Sequence, residues 1–238
     1  MSAVTFPLCV VPAAGPGTRM GELCRETPKC LLEVNGKPIL QHIVEYWRPM
    51  VNSFVVVAPL GHERAVFRAI PLDPVWGATR ATVVEAEPRG VCHAILQGLR
   101  AAWVPERFLV VLGDVLVRGS FDWSALSLWG HGIGVMAAGG EMGRNYAVQA
   151  EGGYVSAVAE KPFCGLGLYA FHWSVLPVLE RNEHITNVVA ELVRDAACGR
   201  GREVVALPLT GAYRNVGRPE DLEGWPAKRA VVEQGEMP

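Results

Sequence analysis

Apolar runs and helical patterns alternate through the first half of this 238-residue chain, and that alternation limits the possible folds more than any other feature. Short apolar runs at Phe6–Val11, Ser53–Ala58 and Phe108–Leu112 are separated by segments whose apolar residues recur at helical spacing. The runs are typical of buried strands, and the intervening segments are typical of helices that pack on them. Strands joined by such helices form right-handed crossover units, so the pattern predicts a mostly parallel sheet.

The second half of the chain predicts an antiparallel addition to that sheet. Its apolar runs are shorter, and the glycine pair Gly152-Gly153 stands between two of them. The predicted elements are a strand at Ile133–Ala138, a hairpin at Tyr146–Glu160, a strand at Gly167–Phe171, a helix at Ile185–Ala196, a last strand at Glu203–Leu207 and a loop at Thr210–Gly217. We find no repeat or long linker, so we expect one α/β domain over residues 1–238, with halves at about 1–115 and 116–225.

Charge balance and residue spacing exclude several classes of protein. The chain has 22 basic and 24 acidic residues, a net charge of -2, which argues against nucleic acid or a membrane surface as the main partner. The first basic residue is Arg19, so the N-terminus lacks the start of a secretory signal. The six cysteines and six histidines form no C-x-x-C or H-E-x-x-H spacing. We therefore expect a cytoplasmic protein with reduced cysteines and no structural zinc.

The strongest single motif is the glycine-bearing loop after the first strand, Gly15-Pro16-Gly17-Thr18-Arg19. Glycines let backbone N–H groups approach an anion closely. Arg19 can hold phosphate oxygens in a bidentate manner, and Lys29 adds a second positive charge. A lone loop of this kind is more often an ordinary tight turn with two solvated cations, so it identifies a phosphate site only together with other motifs.

Five ordered motifs together resemble those of the sugar nucleotidyltransferase family, whose enzymes join a nucleoside triphosphate to a sugar 1-phosphate. The motifs are GPGTR with TPK, EAEPRGVCHAI, LGDVL, EKP with GLYAF, and YRNVGRPEDL. They cover the chain up to about Trp225. The resemblance implies a Rossmann-like, three-layer nucleotide-diphospho-sugar transferase fold, with a mostly parallel sheet, an antiparallel elaboration and an active site at the sheet's carboxyl edge.

The resemblance also implies a role for each residue that matches a family motif. Catalysis is assigned to Arg19, Lys29 and Asp114. Nucleotide binding is assigned to Ala13, Ala14, Gly15, Gly17, Thr18, Glu85 and Gly90. Substrate binding is assigned to Tyr146, Glu160, Lys161, Gly167 and Tyr169. Mg²⁺ is assigned to Asp114 and Asn215, although Asn215 stands where the family most often has aspartate.

Elementary chemistry gives each of these assignments a competing interpretation. Asp114 follows a strand of an open parallel sheet, where ligands usually bind, and a carboxylate suits Mg²⁺ bound to a triphosphate. The same aspartate can serve as a turn residue or a helix cap. Lys161 can hold a phosphate or be a solvated lysine at a strand end, and Glu160 can bind sugar hydroxyls or be a surface charge. Tyr169 lies in an apolar strand, where an aromatic ring usually belongs to the core.

The base preference depends on Glu85, which aligns with a glutamine that uracil- or thymine-selective members often carry. A carboxylate only accepts hydrogen bonds, whereas uracil and thymine present a carbonyl acceptor beside one N–H. Glu85 therefore favours an amino-bearing base, and we expect GTP or CTP as the nucleotide. The alternative is that Glu85 is a solvent-facing strand residue that does not select the base.

The predicted activity is Mg²⁺-dependent transfer of a nucleotidyl group to a sugar 1-phosphate, giving an NDP-sugar and pyrophosphate, by an enzyme that is monomeric or homo-oligomeric. One alternative is a cytidylyltransferase that acts on a non-sugar phosphate or phosphonate. Alternatives of another class are a glycosyltransferase or a non-catalytic nucleotide-binding module on the same fold. The absence of D-x-D around Asp114 argues against the glycosyltransferase, and retention of Arg19, Lys29 and Lys161 argues against the module.

Overall fold

The apolar runs of the sequence come together in one ten-stranded sheet with helices on both faces, and two further short strands pair with each other in a separate sheet. The computed structural model describes residues 4–71, 80–137, 147–158 and 163–226. The strands are Cys9–Pro12 (β1), Glu33–Val34 (β2), Lys37–Pro38 (β3), Ser53–Pro59 (β4), Arg80–Ala86 (β5), Arg107–Val111 (β6), Val115–Phe121 (β7), His131–Ala137 (β8), Ala147–Glu151 (β9), Tyr154–Ala157 (β10), Phe163–His172 (β11) and Val204–Asn215 (β12). The helices are Ile39–Trp47 (α1), Glu63–Ala69 (α2), Val91–Arg100 (α3), Leu176–Glu180 (α4) and Ile185–Ala197 (α5).

The first half forms the predicted parallel part of the sheet. Strands β5, β4, β1 and β6 lie side by side in that order, and all three pairs are parallel. Because all four strands point the same way, the loops that follow them meet at one edge of the sheet. The alternation of strand and helix that the sequence predicts is therefore confirmed.

Alternate residues of the central strands pack on opposite faces, which creates two apolar cores. Val10 and Val55 belong to the core beneath α3, α4 and α5, whereas Val11 and Phe54 belong to the core beneath α1 and α2. Trp47 of α1 is 1% exposed and anchors the second core. Both faces of β1 are buried, as the continuous apolar run of a central parallel strand indicates. The predicted three-layer arrangement is confirmed.

The second half supplies the antiparallel elaboration. Strand β11 runs antiparallel to both β6 and β8, and β8 is in turn parallel to β12. The hairpin of β9 and β10 turns at Gly152-Gly153, as the sequence predicts. Among the described residues, no helix is long and apolar enough to cross a bilayer.

The predicted loop at Thr210–Gly217 is wrong, because β12 continues to Asn215. Its outer part pairs with β7, from Leu209 opposite Phe121 to Asn215 opposite Val115. Gly119 and Gly211 make the pairing possible, since a Cβ on either would lie about 2.0–2.1 Å from a carbonyl oxygen of the other strand. No other residue type fits at such an approach.

Candidate active site

A cavity of about 520 Å³ opens at the carboxyl edge of the sheet. It lies among the loops that follow β1, β5, β6 and β12, together with the first turn of α3. The lining residues are Pro12, Ala13, Ala14, Gly15, Pro16, Gly17, Thr18, Arg19, Lys29, Cys30, Glu87, Pro88, Gly90, Val91, Ala94, Leu112, Gly113, Asp114, His184 and Gly217. A cavity at this edge is the usual ligand site of an open parallel sheet.

The loop after β1 follows one wall of the cavity with its backbone fixed at both ends. Ala13 donates its N–H to the Val57 carbonyl at 2.9 Å, and Met20 donates to the Gly17 carbonyl at 2.8 Å. Gly17 has φ +63°, and a Cβ there would lie 2.7 Å from the Cys24 sulfur. Only glycine fits both the backbone angle and the space. Buried Met20 anchors the end of the loop, while Arg19 stays exposed at the cavity.

Lys29 and Asp114 form an ion pair inside the cavity. Lys29 Nζ lies 2.5 Å from Asp114 Oδ2, and the two side chains are only 14% and 23% exposed. Lys29 comes from the short turn after Pro28, whereas Asp114 follows β6 in the Gly-Asp turn. The fold therefore brings together two residues that the sequence assigns to catalysis. In this state each of them neutralises the charge of the other.

The end of β12 lies directly beside Asp114. Val216 donates its N–H to the Asp114 carbonyl at 2.8 Å, which places Asn215 next to the Gly-Asp turn. A Cβ built on Gly217 would lie 3.6 Å from Asn215 Oδ1 and 3.8 Å from Arg19 Cζ. By that geometry, the Asn215 amide oxygen and the Arg19 guanidinium carbon are no more than about 7.4 Å apart. Arg19 and Asp114 line the cavity, and Asn215, which is absent from the lining, lies beside them.

The carboxylate of Asp221 fixes the backbone of the loop that follows β12. Its Oδ2 accepts from the N–H groups of Gly217 at 2.8 Å and Arg218 at 2.7 Å. The turn at Pro219–Leu222 begins at the same residues and continues this fixed geometry. The loop after Asn215, which brings Gly217 to the cavity lining, is therefore held in place by hydrogen bonds to Asp221.

Magnesium fits the donor set of the site only together with a phosphate ligand. Within the described ranges, no group of three or more histidine, cysteine, aspartate or glutamate side chains is arranged to hold a metal. Asp114 and Asn215 offer one carboxylate and one amide oxygen, both of which are hard ligands. Mg²⁺ is usually held by one or two carboxylates together with substrate phosphates, so this pair suits a metal that binds with a triphosphate.

At the end of β5, the glutamate that lines the cavity is not the one that the sequence predicts. Glu85 is absent from the lining, because its Oε1 accepts the Glu63 N–H at 3.0 Å at the start of α2. A carboxylate is stable at the N-terminus of a helix. Glu87 takes its place in the lining, since it follows the last strand residue and leaves the sheet. Gly90 lies at the start of α3 and does line the cavity, as expected.

Two residues assigned to substrate binding lie in the packed interior. The Tyr169 side chain is fully buried and its ring stacks on Phe171 at a centroid distance of 5.3 Å. Tyr169 is therefore a core residue, and its predicted substrate contact is corrected. Gly167 is absent from the lining and accepts a hydrogen bond from the Leu112 N–H at 3.0 Å. Tyr146, Glu160 and Lys161 lie outside the described residues.

Sequence reasoning missed His184, which enters the cavity from the residue before α5. A polar residue immediately before a helical stripe is the only signal that could have pointed to it. Cys30 also lines the cavity, but burial raises the pKa of its thiol to about 12. A thiol with this pKa stays protonated, so Cys30 is unsuited to act as a nucleophile.

Comparison with known proteins agrees with this arrangement. The model of the MobA-like NTP transferase domain matches residues 9–194. A Bifunctional protein GlmU from Methanocaldococcus jannaschii is 22% identical over 90% of the chain and 52% of its own length. A UTP–glucose-1-phosphate uridylyltransferase AglF from Haloferax volcanii is 24% identical over 90% of this chain and 93% of its own. The chain spans about half the length of the GlmU relatives that cover most of it.

Solved structures show the same fold. A UDP-glucose pyrophosphorylase complexed with UDP-glucose has a TM-score of 0.72 at 18% identity, over 92% of this chain and 96% of its own. The inositol-1-phosphate CTP transferase from T. maritima has a TM-score of 0.73 at 15% identity, over 93% of each chain. The match to the family model covers most of the sheet and the cavity loops after β1, β5 and β6. The chain therefore belongs to the family of MobA-like NTP transferase domains.

Proposed function

We propose that this protein is a nucleotidyltransferase that joins a nucleoside triphosphate to a sugar 1-phosphate, releasing pyrophosphate and an NDP-sugar. The observation that carries the proposal is the cavity in which the glycine loop, Arg19 and the Lys29–Asp114 pair meet. Cations beside a backbone loop suit a polyphosphate, and the paired carboxylate suits its metal. The activity in the name of the AglF relative, a UTP–glucose-1-phosphate uridylyltransferase, agrees with this chemistry.

The reaction needs no nucleophile from the protein. A phosphate oxygen of the sugar 1-phosphate attacks the α-phosphorus and forms a new P–O bond, while the bond between the α-phosphorus and its bridging oxygen breaks and pyrophosphate leaves. Catalysis is then positioning together with stabilisation of developing charge. Arg19 and Lys29 would neutralise the departing pyrophosphate. Bound Mg²⁺ would supply further charge stabilisation, held by Asp114 and Asn215.

We propose that Glu87, and not Glu85, determines which base the protein prefers. Glu87 is an exposed residue of the cavity lining, two residues beyond the position that the sequence suggested. As an acceptor, it suits the N–H groups of guanine or the amino group of cytosine better than the carbonyl edge of uracil. We therefore propose GTP or CTP as the donor.

A second candidate is a cytidylyltransferase for an alcohol phosphate or a phosphonate. An acceptor carboxylate at Glu87 is equally compatible with cytosine, and the start VPAAGPGTRM also resembles that group of enzymes. The chemistry at phosphorus is the same in both candidates, and only the acceptor molecule differs. We propose a cytoplasmic setting for either activity, since Cys9, Cys24, Cys30, Cys92 and Cys198 are all free thiols.

The test is pyrophosphate release from the purified protein, with the four common NTPs and dTTP each offered with several sugar 1-phosphates and alcohol phosphates. We expect release with one nucleotide and one class of acceptor, and loss of release when Mg²⁺ is chelated. Release with no combination, from protein that is folded and binds nucleotide, would contradict the proposed activity. Glu87→Gln should shift the preference towards UTP or dTTP, whereas the matched variant Glu85→Gln should leave it unchanged.

A further inference from the structure

The edge of the sheet opposite the cavity carries a cluster of exposed tryptophans. Trp129 is 58% exposed and Trp173 is 51% exposed, and both rings contact buried His172, at centroid distances of 6.2 and 5.4 Å. Trp103 is 81% exposed, in the segment that leads into β6 at this same edge, and Leu128, beside Trp129, is 74% exposed. We call Trp103, Leu128, Trp129, Trp173, Glu106 and Arg202 the tryptophan face.

The exposed apolar area of this face is as large as the largest apolar patch of a typical single subunit, and such patches are often interaction sites. From their exposed fractions, the three indoles present on the order of 400 Å² to solvent. That is about half of the roughly 800 Å² that each partner buries in a typical stable interface. Tryptophan and arginine are also the residues most enriched among the energetically dominant contacts of interfaces.

The charges on the tryptophan face are not paired with one another. Glu106 is 60% exposed, and the basic group within reach is His172 Nε2 at 3.8 Å. Burial and the nearby Arg202 lower the pKa of His172 despite the Glu106 carboxylate, which favours the uncharged ring. Arg202 stacks on Trp129 at 5.4 Å and donates to Ser174 Oγ and to the Trp129 carbonyl. In the described part of the chain, no carboxylate lies within ion-pair distance of Arg202.

A neighbouring arginine also lacks an acceptor. Arg107, the first residue of β6, has its Nε and Nη2 atoms buried, and nothing in the described ranges accepts a hydrogen bond from them. Burial lowers the pKa of this guanidinium, because the charge has lost water and the nearby Glu106 carboxylate only partly offsets that loss. In the described part of the chain, Glu106 thus lies near His172 and Arg107 without forming an ion pair with an arginine, and Arg202 has no carboxylate partner.

We propose that the tryptophan face is the interface of a two-fold symmetric dimer, in which Glu106 of each copy pairs with Arg202 of the other. Two-fold symmetry brings the same patch of both subunits together, so a patch that carries both signs of charge complements itself. The indoles would pack at the centre and the two ion pairs would lie on either side. A purely acidic partner would satisfy Arg202 but would oppose Glu106, so a second copy fits better.

Charge reversal tests the proposal through the mass of the protein in solution. Sedimentation velocity of the wild type at micromolar concentration should show a dimer. Glu106→Arg and Arg202→Glu should each weaken the dimer by at least about 30-fold, because each variant places like charges opposite each other. An equimolar mixture of the two variants should form a heterodimer, since both opposed pairs are then of opposite sign. An acidic partner protein could not produce this rescue.

Two further variants separate the interface from folding. Trp173→Ala removes an exposed indole and should also weaken the dimer, whereas Tyr154→Ala, at a residue 53% exposed on β10, should not. Thermal unfolding of every variant checks that the subunit is intact. A wild type that stays monomeric up to about 100 μM would overturn the proposal. It would equally be overturned if the dimer survived all three face variants, or if the mixture failed to restore it. Pyrophosphate release by the monomeric variants should persist, so this test does not depend on the proposed activity.

Discussion

Replacing Lys29 by methionine removes the partner of the Asp114 carboxylate while keeping the length and apolar part of the side chain. In the wild type the ammonium and the carboxylate are 2.5 Å apart and mostly shielded from water. A metal that approaches Asp114 before the nucleotide therefore competes with Lys29 for the carboxylate. We expect the free protein to bind divalent metal weakly. When the triphosphate binds, Lys29 should pair with its phosphates, which leaves Asp114 free to bind the metal.

The size of the effect follows from that contact. A hydrogen bond to a charged group contributes roughly 1.5–3 kcal/mol net. A change of about 1.4 kcal/mol is a factor of ten in a binding constant. Lys29→Met should therefore raise the affinity of the nucleotide-free protein for Mn²⁺, used as a probe for Mg²⁺, by roughly 10- to 100-fold. Turnover should fall in the same variant, because the pyrophosphate loses a positive charge.

The assay is Mn²⁺ titration followed by electron paramagnetic resonance, without nucleotide. Lys37→Met is the matched control, since Lys37 pairs with Glu45 at 2.6 Å and does not line the cavity. This control should bind Mn²⁺ like the wild type. Equal Mn²⁺ affinity in Lys29→Met and the wild type would refute the reasoning, because the ion pair would then not compete with the metal.

Three other predictions follow from the same structure. Arg19→Ala should lower turnover by at least about 100-fold, the usual cost of one preorganised donor, and near-normal turnover in a folded variant would refute the phosphate contact. Asn215→Asp should lower the Mg²⁺ concentration needed for half-maximal activity, because it adds a charge beside Asp114; coinciding titration curves would argue against a metal ligand. Burial lowers the pKa of His131 from 6.5 to about 3. The neutral buried ring therefore makes its full contribution to the free energy of unfolding above pH 6.5. This contribution is lost as pH falls towards 3, by about 2 kcal/mol at pH 5. Urea unfolding should show this loss in the wild type and less of it in His131→Leu.

Strong periodicity made the parallel half of the fold predictable. Local apolar patterns alone predict a strand at Ser53–Ala58 and a helix at Val91–Ala102. The structure forms both elements, as β4 and α3, within a residue or two of the expected bounds. The outer part of β12 was not predictable in this way. Its partner β7 contains polar residues, and the pairing depends on Gly119 meeting Gly211, a contact between distant segments that no local pattern records.

The candidate site was predictable where a residue type and a loop position coincide. Arg19, Lys29 and Asp114 follow apolar strands at the carboxyl edge, and topology alone brings them together. The placement of Glu87 in the cavity in place of Glu85 depends on where β5 ends, which sequence fixes only to within a few residues. The role of Tyr169 could not be predicted because both faces of β11 are buried. Polar and apolar residues do not alternate along such a strand, so the sequence does not distinguish a side chain that faces a ligand from one in the core.

The pairing of β7 with β12 also determines the stage of folding at which the site can form. Asp114 immediately precedes β7 and Asn215 ends β12, so the two residues meet only when strands on the order of 100 residues apart in sequence have paired. A slip of one residue in this ladder would turn the Asn215 side chain to the opposite face. Contacts of such long sequence separation close late and slowly. A chain emerging from the ribosome would thus build its phosphate loop early, and the two proposed metal ligands could meet only after β12 has been synthesised.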